Sequence, residues 1–296
     1  LQTARFVAGD VALFGEMRGR LQAEAAVMGE AVIEAVLQLS DARHARFNRT
    51  FYQLEPDIKD APGGLRDIEA ARLLHAVTGA RSSVDDTDLD RLDQAEDTLL
   101  RIRAILHREQ GRNLNVLTHE LQETAADRLR YPGGSREQRV EALMGTYFRH
   151  ARAVSRALAR ARMRVGWDAR DTTSVPLGLN LELSADGVRF IDRDRAGAEP
   201  ASWLHAFSRA VEHGARVSWD ALDVFERNAV RYTPADLAPT AEDRQRLLAL
   251  LRPGPGLYSR LSEMHDCGLL TALFPEFKAI SGLVIRDFFH KYTVDE

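Results

Sequence analysis

Between Arg136 and Val165 the apolar residues Val140, Leu143, Met144, Tyr147, Ala151, Val154, Leu158 and Val165 recur at steps of mostly three and four. That period marks one face of an α-helix, and a proline-free run of this length makes roughly eight turns. Gly133-Gly134-Ser135 stops any helix before it and supplies a cap, and Gly166 closes it. A second one-sided helix is expected over Asp90–Gln110, with Leu92, Leu99, Ile102 and Leu106 on its stripe and Gly111 at its end. A third is expected over about Phe14–Leu39. Long one-sided helices bury their stripes against each other, so a helical bundle is the expected architecture.

Strand signals are few. Leu179–Leu183 alternates, Ala185-Asp186-Gly187 offers a turn, and Val188–Ile191 alternates again, which predicts a small β-hairpin. Beyond it, a helix is expected through Trp203, Phe207 and Val211, ending near Gly214. Thr240-Ala241-Glu242-Asp243 resembles a capping box, and Leu257–Leu273 reads as one further helix. The polar stretches Ser82–Thr87 and Arg170–Ser174 are the expected linkers.

Composition narrows the function. The 296 residues are 45% hydrophobic, which excludes intrinsic disorder. Forty Lys and Arg against 44 Asp and Glu leave a net charge of −4, so no global field draws the chain to nucleic acid or membrane. A single cysteine, Cys267, excludes an intramolecular disulfide framework and a cysteine-rich zinc site. Apolar runs are too short for a membrane span, and the chain reads as soluble and cytoplasmic. It opens on Leu1 without a signal segment and closes without a polar tail, so it is expected to be a piece of a longer protein.

One segment does not look like ordinary packing. In Leu54-Glu55-Pro56-Asp57-Ile58-Lys59-Asp60-Ala61-Pro62-Gly63-Gly64-Leu65-Arg66-Asp67-Ile68-Glu69, prolines and glycines set a tight non-helical path among crowded charges. Gly63-Gly64 permits close backbone approach, Lys59 and Arg66 suit phosphate, and Asp67 beside them suits magnesium. The same pattern fits a structural turn capping a helix that begins near Ile68. Spacing alone leaves both readings open.

The run Glu55–Asp67 closely resembles the signature of the bacterial PII uridylyltransferase/uridylyl-removing enzymes. Ala4-Arg5-Phe6-Val7-Ala8-Gly9-Asp10, the segment Leu100–Arg112 and the ending Phe289–Glu296 are similar to further stretches of that family, in its order. The resemblance implies a mainly α chain. It would hold the C-terminal remnant of a polymerase-β-like nucleotidyltransferase domain (1–84), a helical bundle (85–170), a hairpin-containing helical connector (171–280) and the start of an HD phosphohydrolase domain (281–296). It implies transfer of UMP from UTP to a tyrosine of the PII signal protein, hydrolytic removal of that UMP, and glutamine as effector.

Magnesium would be the cofactor. The resemblance makes Asp67 the third metal carboxylate and catalytic residue, with Lys59, Gly63, Gly64 and Arg66 around the nucleotide. The family's Asp-x-Asp pair would lie before Leu1, and the HD histidines after Glu296, so the chain alone is expected to be inactive. Asp86/Asp88, Asp88/Asp90 and Asp192/Asp194 read as solvated or turn aspartates instead. His265-Asp266 sits in an apolar helix and reads as a decoy, and His290 as a packing or supporting residue. Arg152, Arg156, Arg160, Arg162 and Arg164 are expected on a solvated helix face. Trp167, Trp203 and Trp219 are expected in or beside cores, and Cys267 as an inert buried thiol. A glutamine synthetase adenylyltransferase-type enzyme and a non-catalytic helical module are the alternatives.

Overall fold

The computed structural model describes residues 6–27, 29–78, 86–165, 174–280 and 293. The chain divides into two compact units, Leu1–Gly166 with Gly282–Glu296, and Trp167–Ser281.

The first unit holds α1 (Val11–Val27), α2 (Gly29–Ala45), α3 (Leu65–Thr78), α4 (Asp86–Gln110), α5 (His119–Arg128) and α6 (Arg136–Val165). The stripe read from sequence is the buried face of α6. Leu143, Met144, Tyr147, Ala151 and Val154 are fully enclosed, and the helix packs along α3, α4 and α5. At 1.5 Å per residue α6 spans about 45 Å, long enough to serve as the spine of the unit. Ile58, Ile68 and Leu74 share one core with Leu99, Ile102, Leu121 and Tyr147, so residues on both sides of position 84 are held by the same hydrophobic contacts. Residues 1–84, where described, form helices and turns of this bundle. Asp57 and Val116 make an isolated antiparallel bridge.

Helix is described across the expected Phe14–Leu39 span on both sides of position 28, as α1 (Val11–Val27) and α2 (Gly29–Ala45). One correction concerns the arginines of α6. Arg156 and Arg160 are buried, and Arg152 and Arg162 half-buried. Arg152 donates to the Tyr52 hydroxyl and lies 5.8 Å over its ring, and Arg162 pairs with Asp41 at 2.7 Å. The i, i+4 spacing of Arg152, Arg156 and Arg160 lines them up on one flank of the helix. Their stems and charges are used inside the unit rather than displayed to solvent.

The second unit contains a three-stranded antiparallel sheet, β1 (Val175–Gly178), β2 (Leu181–Ser184) and β3 (Gly187–Phe190), in that spatial order. The expected hairpin is β2–β3, paired from Leu181↔Phe190 to Ser184↔Gly187. Around it lie α7 (Arg193–Ala198), α8 (Ser202–Glu212), α9 (Trp219–Asn228), α10 (Pro234–Leu237), α11 (Ala241–Leu250), α12 (Leu257–Asp266), α13 (Leu269–Leu273) and α14 (Phe277–Ile280). Trp203 is fully buried against Phe225, ring centroids 4.9 Å apart, and its indole N–H donates to the Ala196 carbonyl at 2.8 Å. That bond removes the cost of enclosing a polar atom in an aromatic core. Trp219 is half-buried, with the Arg216 guanidinium 4.3 Å from its ring centroid. Where one helix was expected over Leu257–Leu273 there are two, because Gly268 takes φ +77° between α12 and α13.

The capping box at Thr240 is present. Thr240 Oγ1 accepts from Asp243 N at 3.1 Å, and Asp243 Oδ2 accepts from Thr240 N at 3.3 Å. Thr240→Ala removes the first of these bonds and is expected to cost about 1 kcal/mol. Amide hydrogen exchange across α11 measures this; Thr240→Ser should restore protection.

Candidate functional site: the Gly-Gly turn

The signature segment folds as a closed turn. Ile58 N donates to Asn115 O, and Leu117 N to Pro56 O, each at 2.9 Å, so the Pro56–Ile58 stretch is pinned to the strand-like run before α5. Asp57 Oδ1 accepts from Lys59 N at 2.9 Å and Asp60 N at 2.8 Å, an Asx turn that bends the chain back. Leu65 N then donates to Ile58 O at 3.1 Å and Arg66 N to Lys59 O at 3.0 Å, which closes the loop on itself. Helix α3 begins at once, with Gly64 as its cap: its carbonyl accepts from Asp67 N and Ile68 N.

Most of the charges in the segment have structural partners. Glu55 Oε1 accepts from His119 N at 2.8 Å, at the first turn of α5, where the helix dipole favours an anion. Asp60 pairs with Arg66 at 2.8 Å on the outer side of the turn. Glu69 is exposed. Lys59 is half-buried, and its ammonium makes no ion pair with a described residue.

The glycines answer to packing. Gly63 has φ +75°, and a Cβ there would lie 2.5 Å from the Ala151 carbonyl oxygen and 2.6 Å from its Cα. A Cβ on Gly64 would lie 2.9 Å from the carbonyl oxygens of Ala61 and Lys59. The close approach that the pair permits is to α6 and to the turn itself. Their N–H groups are committed too, Gly63 N to Asp67 Oδ2 at 2.8 Å and Gly64 N to Ala61 O at 2.9 Å. Both N–H groups of the pair are thus taken up within the turn.

Asp67 stands in the first turn of α3 rather than on a strand, and its side chain is fully buried. Arg43 Nη2 donates to Oδ1, and His44 Nε2 lies 2.9 Å from both carboxylate oxygens. With the Gly63 amide, the carboxylate joins the last turn of α2 to the Gly-Gly turn. Tyr147, one helical turn before Ala151 on α6, is enclosed nearby, and its hydroxyl has no hydrogen-bond partner among the described residues. Burial pushes that phenol far above its ordinary range, and the charges of Asp57 and Asp67 push the same way, so it stays neutral.

Sequence reasoning missed Arg43 and His44. They lie 24 and 23 positions before Asp67 and read locally as cations that offset the end of a helix dipole. Other expectations concern other places. Asp192 caps α7 by accepting from Arg195 N at 2.9 Å, and His265 is buried against the Phe277 ring. Cys267 is fully buried and donates to the Met264 carbonyl. The side chains of Asp86, Asp88 and Arg164, together with Ala4, Arg5, Trp167, His290 and all of 281–296 except Thr293, lie outside the described residues. Among the described residues no group of three or more His, Cys, Asp or Glu could hold a metal ion, and no helix is long and apolar enough to cross a membrane.

The family model described as GlnD PII-uridylyltransferase matches residues 31–161, which takes in α2 to α6 and the whole turn. Along its full length the chain is similar to proteins named bifunctional uridylyltransferase/uridylyl-removing enzyme. It is 31% identical to that of Thiobacillus denitrificans, covering 36% of it, 29% to that of Photobacterium profundum, covering 35%, and 31% to that of Vibrio atlanticus, covering 35%. No solved structure matches. The chain spans about a third of the length of these relatives. With the Gly-Gly turn inside the matched region and the similarity unbroken from end to end, the chain belongs to the family of the bifunctional uridylyltransferase/uridylyl-removing enzymes.

Proposed function

We propose that this chain is part of an enzyme that transfers UMP from UTP to a tyrosine of the PII signal protein and removes it again by hydrolysis. One observation carries the reading: all of the chain aligns to enzymes so named, at 31% identity for the Thiobacillus denitrificans relative. In this proposal residues 1–84 continue a polymerase-β-like nucleotidyltransferase domain, residues 85–170 form a helical bundle and residues 171–280 a hairpin-containing connector. The removing activity belongs to an HD domain beginning near residue 281, glutamine acts as effector, and the enzyme works in the cytoplasm. On this reading the half-buried Lys59, which has no ion pair to a described residue, and the exposed Arg66, held by Asp60, offer positive charge to a triphosphate. Magnesium does not fit at the described residues: Asp67 is enclosed and already engaged by Arg43, His44 and the Gly63 amide, and Asp57 accepts from its own turn. The carboxylates that hold it belong, on this reading, to other parts of the enzyme.

The whole enzyme, incubated with PII, magnesium and UTP labelled at the α-phosphate, is expected to place label on PII, and glutamine is expected to change the amount of label retained. Labelling from ATP onto glutamine synthetase, with none from UTP onto PII, would show an adenylyltransferase instead. Absence of any nucleotide binding would leave a helical interaction module.

A further inference from the structure

We infer that the Asp67 carboxylate is a structural clasp and not a magnesium ligand: with Arg43, His44 and the Gly63 amide it locks the end of α2 onto the Gly-Gly turn. Oδ1 receives Arg43 and His44 Nε2, and Oδ2 receives His44 Nε2 and the Gly63 N–H. Three donors thus reach a carboxylate with about four lone-pair sites, a single His44 Nε2 proton being shared by the two oxygens. Magnesium asks for near-octahedral oxygens at about 2.0–2.1 Å and usually keeps several waters. At Asp67 the side chain has no exposed surface, so there is no room for a hydrated cation, and the buried Arg43 guanidinium already supplies the compensating charge. Among the described residues no group of three or more His, Cys, Asp or Glu gathers around it to hold a metal. The geometry instead resembles a capping interaction extended by a cation. The acid at the third position of α3 reaches back to the amide before the cap, and two residues in the last turn of α2 close over it.

The clasp connects three elements that the sequence separates. Gly63 rests on Ala151 of α6, Asp67 holds Gly63, and Arg43 with His44 holds Asp67. A single carboxylate thereby fixes α2 relative to α3 and α6, which explains an acid at this position of the signature without any metal.

The inference rests on the proposed function only in naming magnesium, and the test separates the two. In the whole enzyme, Asp67→Asn and Arg43→Met are each measured for thermal midpoint and for the magnesium concentration giving half-maximal UMP transfer. Both are expected to lower the midpoint by about 5–15 °C while the magnesium requirement of the remaining activity stays within about twofold of the parent. An Asp67→Asn enzyme that needs tenfold more magnesium, or that loses transfer at an unchanged midpoint, overturns the clasp. Should Asp67→Asn fail to fold, Arg43→Met decides, because it keeps the carboxylate: a lowered midpoint supports the clasp and a parental one refutes it. If the parent enzyme transfers no UMP, the proposed function fails, while the midpoints still decide the clasp.

Discussion

Gly63→Ala is expected to unfold the helical unit more readily than any other single methyl addition in the signature. Two costs add at this position. A left-handed backbone disfavours a Cβ by about 1–2 kcal/mol. Driving a methyl group into a packed core costs about 1–3 kcal/mol more, for a total of about 2–5 kcal/mol. The second cost is hard to relieve, because the clashing atoms are the backbone oxygen and Cα of Ala151, fixed inside α6, and not the end of a flexible side chain. Gly145→Ala is the control. Gly145 lies on the exposed side of the same helix, and a Cβ there would meet nothing within 4 Å, so alanine should be neutral or stabilising by up to about 1 kcal/mol. Amide exchange of α3 and α6 measures both; comparable protection in the two variants would show that the turn is not seated on α6.

The other large effect concerns the buried ion pair. Asp67→Ala leaves the Arg43 guanidinium enclosed without its carboxylate and is expected to cost about 3–5 kcal/mol, and Arg43→Ala should cost a similar amount. The double variant should lose clearly less than the sum, since each single change already breaks the same contact, with a coupling of about 0.5–3 kcal/mol. Urea unfolding followed through the α6 amides gives all four corners of the cycle. Strict additivity would mean that the two residues do not act on one another. The cost of each single change is mostly that of stranding a partner in a low-dielectric interior, so a matched apolar replacement of both could be nearly neutral.

How much of this was legible in the sequence depends on the range of the interaction. The spine α6 could be read to its ends, Arg136 and Val165, because its stripe is periodic and its flanks carry glycine. The β2–β3 hairpin was legible from alternation, but β1 was not. Val175-Pro176-Leu177-Gly178 is a largely exposed edge with a proline, and such a strand carries no alternating burial to detect. The break inside Leu257–Leu273 was hidden because periodicity does not register a left-handed residue such as Gly268. The arginines of α6 misled for a related reason. A row of cations looks solvent-facing unless Tyr52 and Asp41, distant in the chain, are known to meet it.

The signature shows the same limit most clearly. Glycines that admit a close approach and cations near an acid look alike whether the approaching group is a phosphate or α6, and whether the acid awaits a metal or an arginine. Asp57 could have been recognised as a local turn former, whereas Glu55 meets His119 from 64 positions away. The Asp67 clasp could not, since its partners lie on another helix.

On the inference drawn above, the Gly-Gly signature holds helices together and leaves metal binding to other residues. Crystals of the whole enzyme grown with manganese and a non-hydrolysable UTP analogue test it directly, because anomalous scattering locates the metal. Every manganese peak is expected well beyond coordinating reach of Asp67, with the Arg43 and His44 contacts intact. A peak within about 2.5 Å of an Asp67 oxygen, with Arg43 displaced, would contradict it.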